Sequence, residues 1–209
     1  MIDNENSQAK EDLLENISEL FLKYGLRSTS MDDICAHLKI SKKTLYQFFT
    51  NKDDVVEQVM LHRRENHQVQ KNLEELKQHN VIEIMWIIKE HIIHDMNSQM
   101  PANLFDLKKY HPDVYERINE SHSKFFTSLL HELLDKGEKQ GFLLKDIQKE
   151  IQIYLFIKQM SFLNEPEMIS DTPYPADIIV STIVENMIRS LATPKGIEEL
   201  DRLINNQEK

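Results

Sequence analysis

Four glycines and six prolines are spread over 209 residues, and this scarcity constrains the fold more than any other feature of the chain. Gly and Pro supply most of the special backbone angles of tight turns. A sandwich or barrel, with a turn roughly every eight to twelve residues, is therefore short of its turn-forming residues here. Long helices with few breaks are the alternative. Apolar residues make up 40% of the chain and charged residues 29%, a balance that suits a globular protein with a core rather than a disordered one.

The apolar spacing agrees. Leu13, Leu14, Ile17, Leu20, Phe21 and Tyr24 recur every three or four residues, and Gly25 follows where a left-handed cap would close the helix. Ser30 with Asp33 has the form of a capping box, opening a short helix whose apolar face is Ile34, Cys35 and Leu38. Lys39 and Ile40 form a tight turn, and Ser41 is placed to cap a third helix from about Lys42 to Phe49. Asn51 caps again, with Asp53 and Asp54 near the positive end of the next helix, which runs toward Gln78. Val81 to Met96 is helical up to a break at Pro101, and Pro112 opens a helix ended by Gly137 and Gly141. Ile147 to Phe162 and Ala176 to Leu191 follow. The expectation is an all-α chain of about nine helices, a small three-helix head joined to a larger helical body.

The stretch from Val81 to Met96 is broken by Glu83, Lys89, Glu90, His91, His94 and Asp95, so it falls short of the roughly 20 apolar residues a bilayer requires. No membrane partner is expected. The one cysteine, Cys35, cannot close an intramolecular disulfide, and residues 1 to 6 lack the pattern of a signal peptide, which points to the cytoplasm.

The formal net charge is −10, which opposes non-specific coating of nucleic acid. Its distribution is uneven. Residues 1 to 60 hold 7 basic and 11 acidic side chains, yet Lys39, Lys42, Lys43 and Lys52 lie in a stretch from Leu38 to Lys52 that contains no Asp or Glu. Two short helices joined by a tight turn make a helix-turn-helix, whose second helix fits a B-DNA major groove about 12 Å wide. The same lysines would also suit a plain solvated face.

The string from Ile17 through Glu57 selects between these readings. Its densest part, Ser41-Lys42-Lys43-Thr44-Leu45-Tyr46-Gln47-Phe48-Phe49-Thr50-Asn51-Lys52-Asp53, resembles the Ser-x-Gly-Thr-Leu-Tyr-x-His-Phe-x-x-Lys-Glu pattern of the TetR family of transcriptional regulators. The resemblance implies a DNA-binding domain over residues 1–52 and a helical effector-binding and dimerisation domain over 53–209. It implies that Lys42, Lys43, Thr44 and Gln47 face bases and phosphates, that Tyr46 touches the DNA backbone, and that Lys52 holds a phosphate at the start of the fourth helix. Thr29 and Ser30 would meet phosphate at the start of the second helix, where free amides point outward. Tyr46 could instead be a core aromatic with its hydroxyl at the rim. Lys39 and Lys43 stand where the family commonly has glycine, and Phe48 where it has histidine. A left-handed Lys39 would cost roughly 1 to 2 kcal/mol.

By the same resemblance the chain is a homodimer, a repressor that binds a palindromic double-stranded DNA operator and is released by an unidentified small-molecule effector. Ile151, Tyr154, Phe162, Ile179, Ile183 and Met187 are the candidate dimer face, or else they close the core of one chain. Met85, Trp86, Met96, Phe105, Tyr110, Tyr115 and Phe126 could line an effector pocket of about 300 to 1,000 Å³, although the same types at helical spacing also build ordinary cores. His91 and His94 share a helix face but lack the third protein ligand of a catalytic zinc site. His131-Glu132-Leu133-Leu134-Asp135 ends in Asp where a zinc-protease motif needs His. No metal, cofactor or catalytic residue is expected, and the chain is read as no enzyme. The alternative is a helical small-molecule-binding protein or enzyme that retains a helix-turn-helix as scaffold.

Overall fold

A computed structural model describes residues 2–65, 76, 78–97, 100–161, 165 and 172–207. Ten helices occur among them: α1 (Ile2–Tyr24), α2 (Met31–Leu38), α3 (Lys42–Phe48), α4 (Lys52–Glu65), α5 (Val81–Met96), α6 (Met100–Tyr110), α7 (Pro112–Gln140), α8 (Lys149–Met160), α9 (Ala176–Leu191) and α10 (Pro194–Gln207). The all-α expectation holds, with ten helices among the described residues against an expectation of about nine. The two unanticipated helices, α6 and α10, have Pro101 and Pro194 in their first turns. Proline breaks a helix only where its missing N–H was needed, and in the first turn it was not. The continuation of α4 toward Gln78 falls largely outside the described residues.

The chain divides into two compact units, one of Met1–Lys71 with Gln99–Glu120, the other of Asn72–Ser98 with Ser121–Lys209. The first holds α1 to α4, α6 and the start of α7. Its core is Ile17, Phe21 and Leu26 from α1 and the following loop, Ile34 and Leu45 from α2 and α3, Phe49, Val55, Val56 and Val59 around α4, and Leu107 and Val114 from α6 and α7. Asn103, buried in this core, ties α6 to the end of α1: its Nδ2 donates to the Phe21 carbonyl and its Oδ1 accepts from the Leu26 amide at 3.1 Å. A buried amide pair satisfied in this way fixes register as well as contributing to stability.

In the second unit α5 packs against α9 and α10. Asn80 caps α5 in a capping box with Glu83, and Arg202 of α10 reaches that same Glu83 at 3.1 Å. Gly137 does not end α7 but lies buried inside it, with the end at Gln140 followed by Gly141 in the left-handed region. The reason for glycine at 137 is space. A Cβ there would stand 2.4 Å from Leu143 Cδ1, because the chain folds back so that the Leu143 amide donates to the Gly137 carbonyl. Along α8 the buried residues are Ile153 and Phe156, while Ile151, Tyr154 and Leu155 face outward. Of the candidate dimer face, Met187 is buried within this chain, Ile179 and Ile183 are half-buried, and Phe162 lies outside the described residues.

Candidate nucleic-acid interface

The helix-turn-helix is held by side-chain caps at each of its corners. Gly25 adopts φ 84° and ends α1, and the Thr29 hydroxyl donates to the Gly25 carbonyl at 2.9 Å. Thr29 is thereby buried, at 2% exposure, and braces the loop from inside. Ser30 caps α2: its hydroxyl accepts from the Asp33 amide, while the Ser30 amide donates to Asp33 Oδ2 at 2.8 Å. The Ser30 hydroxyl in turn donates to Asp33 Oδ2 at 2.6 Å, and this bond together with that from the Ser30 amide holds the Asp33 carboxyl below its usual range. Lys39 turns the chain in the left-handed region at φ 55°, and the Ile40 amide donates to the Cys35 carbonyl. Ser41 then caps α3, accepting from the Thr44 amide at 3.0 Å and sharing a further hydrogen bond with the Thr44 hydroxyl.

So anchored, α3 buries Leu45, with Phe49 buried just beyond its end, and turns a polar stripe outward. Lys43, Tyr46 and Gln47 are exposed at the three-and-four spacing that aligns side chains on one helix face, with Lys42 beside them. Tyr46 is 51% exposed, so it is a surface aromatic rather than a core one. Lys42 pairs with Asp32 of α2 at 2.7 Å, both side chains well exposed, and this hydrogen bond raises the lysine's pKa. Lys52 is placed differently from the α3 residues. Its Nζ donates to the Leu26 carbonyl at 2.9 Å and the Arg27 carbonyl at 3.5 Å, and burial lowers its pKa. Lys42, Lys43, Tyr46 and Gln47 thus share one exposed face, Thr44 is bonded to the α3 cap Ser41, Ser30 caps α2, and Thr29 and Lys52 are fastened to main chain.

Residues far along the chain complete this unit. His111 Nδ1 is hydrogen-bonded to Asp53 Oδ1, and Arg117 donates to both carboxylate oxygens of Glu57 at 2.8 and 2.6 Å. Asp106 accepts from the Arg27 amide at 3.0 Å. These three residues were not anticipated from the sequence, because no local pattern pairs α4 or the loop before α2 with residues more than fifty positions away.

The proposed effector residues are divided between the two units. Phe105, Tyr110 and Tyr115 belong to the first unit, Met85, Trp86, Met96 and Phe126 to the second. Phe105 and Tyr110 are exposed, Met85 and Trp86 are buried, and the Lys89 ammonium sits over the Trp86 ring. Among the described residues no group of three or more His, Cys, Asp or Glu could hold a metal ion, and no helix is long and apolar enough to cross a membrane.

Residues 10–59 match the family model described as bacterial regulatory proteins, tetR family. Over 165 residues the chain is 24% identical to an uncharacterised HTH-type transcriptional regulator, YvaF, of Bacillus subtilis strain 168, covering 78% of this chain and 86% of that protein. A TetR-family regulator from Agrobacterium tumefaciens shares the fold with a TM-score of 0.63 at 17% identity, over 89% of this chain and 99% of that one. A TetR-family regulator from Cytophaga hutchinsonii does so with a TM-score of 0.65 at 16% identity, over 90% and 96% of the two chains. The family and these relatives are regulators rather than enzymes. The matched segment spans the capped helix-turn-helix and the start of α4, so residues 10–59 carry the DNA-binding domain pattern of the TetR family of transcriptional regulators, and the chain shares the all-α fold of solved regulators of that family.

Proposed function

We propose that the protein is a cytoplasmic, ligand-responsive repressor that binds a palindromic operator as a homodimer and is released by a small-molecule effector. One observation carries this reading: α3 is capped, braced and anchored by Leu45, and its outward stripe of Lys42, Lys43, Tyr46 and Gln47 combines cations with hydrogen-bonding groups. Cations on such a face neutralise phosphates, while Gln47 and Thr44 are of the types that read base edges. We take residues 1–52 as the DNA-binding domain and 53–209 as the effector and dimerisation domain. Thr29, Ser30 and Lys52 then act mainly by holding α2 and α3 in place.

The body is acidic, with 18 basic against 24 acidic residues from position 61 onward. The net negative charge there disfavours phosphate as a whole, which makes the lysine edge of the head the main docking side. For the effector, Met85, Trp86, Met96, Tyr115 and Phe126 remain the candidates, since Phe105 and Tyr110 stand at the surface. Selection of bound genomic DNA followed by sequencing tests the reading. A palindromic site whose half-sites lie about 34 to 36 Å apart, or a multiple of that, is expected. Lys43→Ala with Tyr46→Ala abolishes its selection without loss of helicity; unaltered selection by that variant refutes the assignment of α3.

A further inference from the structure

Beyond α3, a second basic surface lies in the first unit, and a helix outside the helix-turn-helix builds it. Arg27, in the loop between α1 and α2, places its guanidinium 4.9 Å from the ring centre of Tyr110 at the end of α6. Lys109 sets its ammonium 5.6 Å from the same ring and 5.4 Å from that of Phe105. Both rings are exposed, at 39% and 40%, so the two cations are held against aromatic faces at the surface. A cation over a ring face is oriented electrostatically while its outer side remains free to meet an anion. The acidic neighbour Asp106 accepts a hydrogen bond from the Arg27 main-chain amide, while the Arg27 side chain lies over the Tyr110 ring.

This surface is tied to the helix-turn-helix through the loop that carries Arg27. Arg27 is three residues ahead of Ser30, which caps α2, and its carbonyl receives the Lys52 ammonium. Asn103 of α6 holds the neighbouring Leu26 amide, so α6 and the loop are locked in one register. In a chain of net charge −10, two cations pre-positioned beside the helix-turn-helix complement a polyanion that already lies along it. We infer that Arg27 and Lys109 contact the phosphate backbone of the operator duplex, outside the bases that α3 reads, with Tyr110 as the platform that positions both. The inference rests on the DNA-binding reading above and adds α6 to it.

The test compares the full-length protein with Arg27→Gln plus Lys109→Gln on a genomic fragment chosen by DNA selection and on an unrelated duplex. Each lost phosphate contact lowers the slope of log affinity against log salt by about 0.9. The slope is therefore expected to fall by at least that much on both duplexes, with sequence preference unchanged. Arg27→Lys plus Lys109→Arg, which keeps both charges, should retain the slope and guards against a folding defect. Selective binding with an unchanged slope in the glutamine variant overturns this inference alone and leaves the surface to an acidic protein partner. Failure of the unaltered protein to select any DNA overturns the underlying reading as well.

Discussion

The ammonium of Lys52 donates to the main-chain carbonyl of Leu26 at 2.9 Å, so the first residue of α4 fastens the loop that precedes α2. A hydrogen bond from a charged donor contributes about 1.5 to 3 kcal/mol. Lys52→Met is accordingly expected to lower the unfolding free energy by about that amount in the absence of DNA, measured by urea titration. A lysine that only held phosphate would leave DNA-free stability unchanged and alter the salt dependence of operator binding instead. Unchanged stability would therefore rule out the bracing role.

Asp32 pairs with Lys42, a lysine of the proposed DNA-binding face. The pair is 2.7 Å long and exposed on both sides, so it adds little stability, about 0 to 1 kcal/mol. It does place a carboxylate beside the proposed phosphate-binding edge. Asp32→Asn should release Lys42 and tighten binding to a selected operator by up to about fivefold at 0.15 M salt, the equivalent of that energy. Fluorescence anisotropy checks this, and weaker binding would mean that the pair orients Lys42 productively.

The parts of this fold that are legible in the sequence are those governed by local chemistry. Gly25, Ser30 with Asp33, Lys39, Ser41 and Asn51 each fix a helix boundary through bonds spanning three to five residues, and each boundary falls where the residue types place it. The alternation of Leu45 inward with Tyr46 and Gln47 outward follows from the same helical period. What resisted reading is tertiary. Pro101 and Pro194 resemble breakers until the helices that begin around them are seen, and Gly137 resembles a terminator until Leu143 folds back over it. Asn103 is unremarkable in sequence, and its place in the core depends on two main-chain groups, at Phe21 and Leu26, more than seventy positions earlier. The residues proposed for a pocket fall in two different units, because helical spacing says which face a residue is on and not which helix meets it.

Glu57 gives the first unit a defined acid sensitivity. The hydrogen bonds from Arg117 hold its carboxyl below the usual value of 4.5. A carboxyl with a lowered folded-state pKa stabilises the protein above its unfolded value and loses that contribution as pH falls through the folded one. The Arg117 side chain is half exposed, so solvent screening limits the contribution to about 0.5 to 1 kcal/mol at pH 7. Glu57→Gln should therefore cost about that much at neutral pH and almost nothing near pH 3. Urea unfolding of both proteins at the two pH values measures it, and a cost independent of pH would assign the effect to packing.

Ile151, Tyr154 and Leu155 form an exposed apolar stripe on α8, at 51%, 60% and 49% exposure, while the opposite face buries Ile153 and Phe156. Three large apolar side chains at the i, i+3, i+4 positions of one helix are more than scattered surface residues account for, and such patches commonly mark association surfaces. A second copy of the chain is the partner that the proposed palindromic operator requires. Burial of each such side chain is worth about 1.5 to 3 kcal/mol. Tyr154→Glu should therefore weaken self-association by at least about tenfold, since tenfold corresponds to about 1.4 kcal/mol. Sedimentation equilibrium provides the measurement, with circular dichroism confirming retained helicity. Loss of dimer should also convert operator binding from a steep to a shallow concentration dependence. A variant that remains dimeric with unaltered affinity would exclude the α8 stripe from the interface and move the search to the outward face of α9.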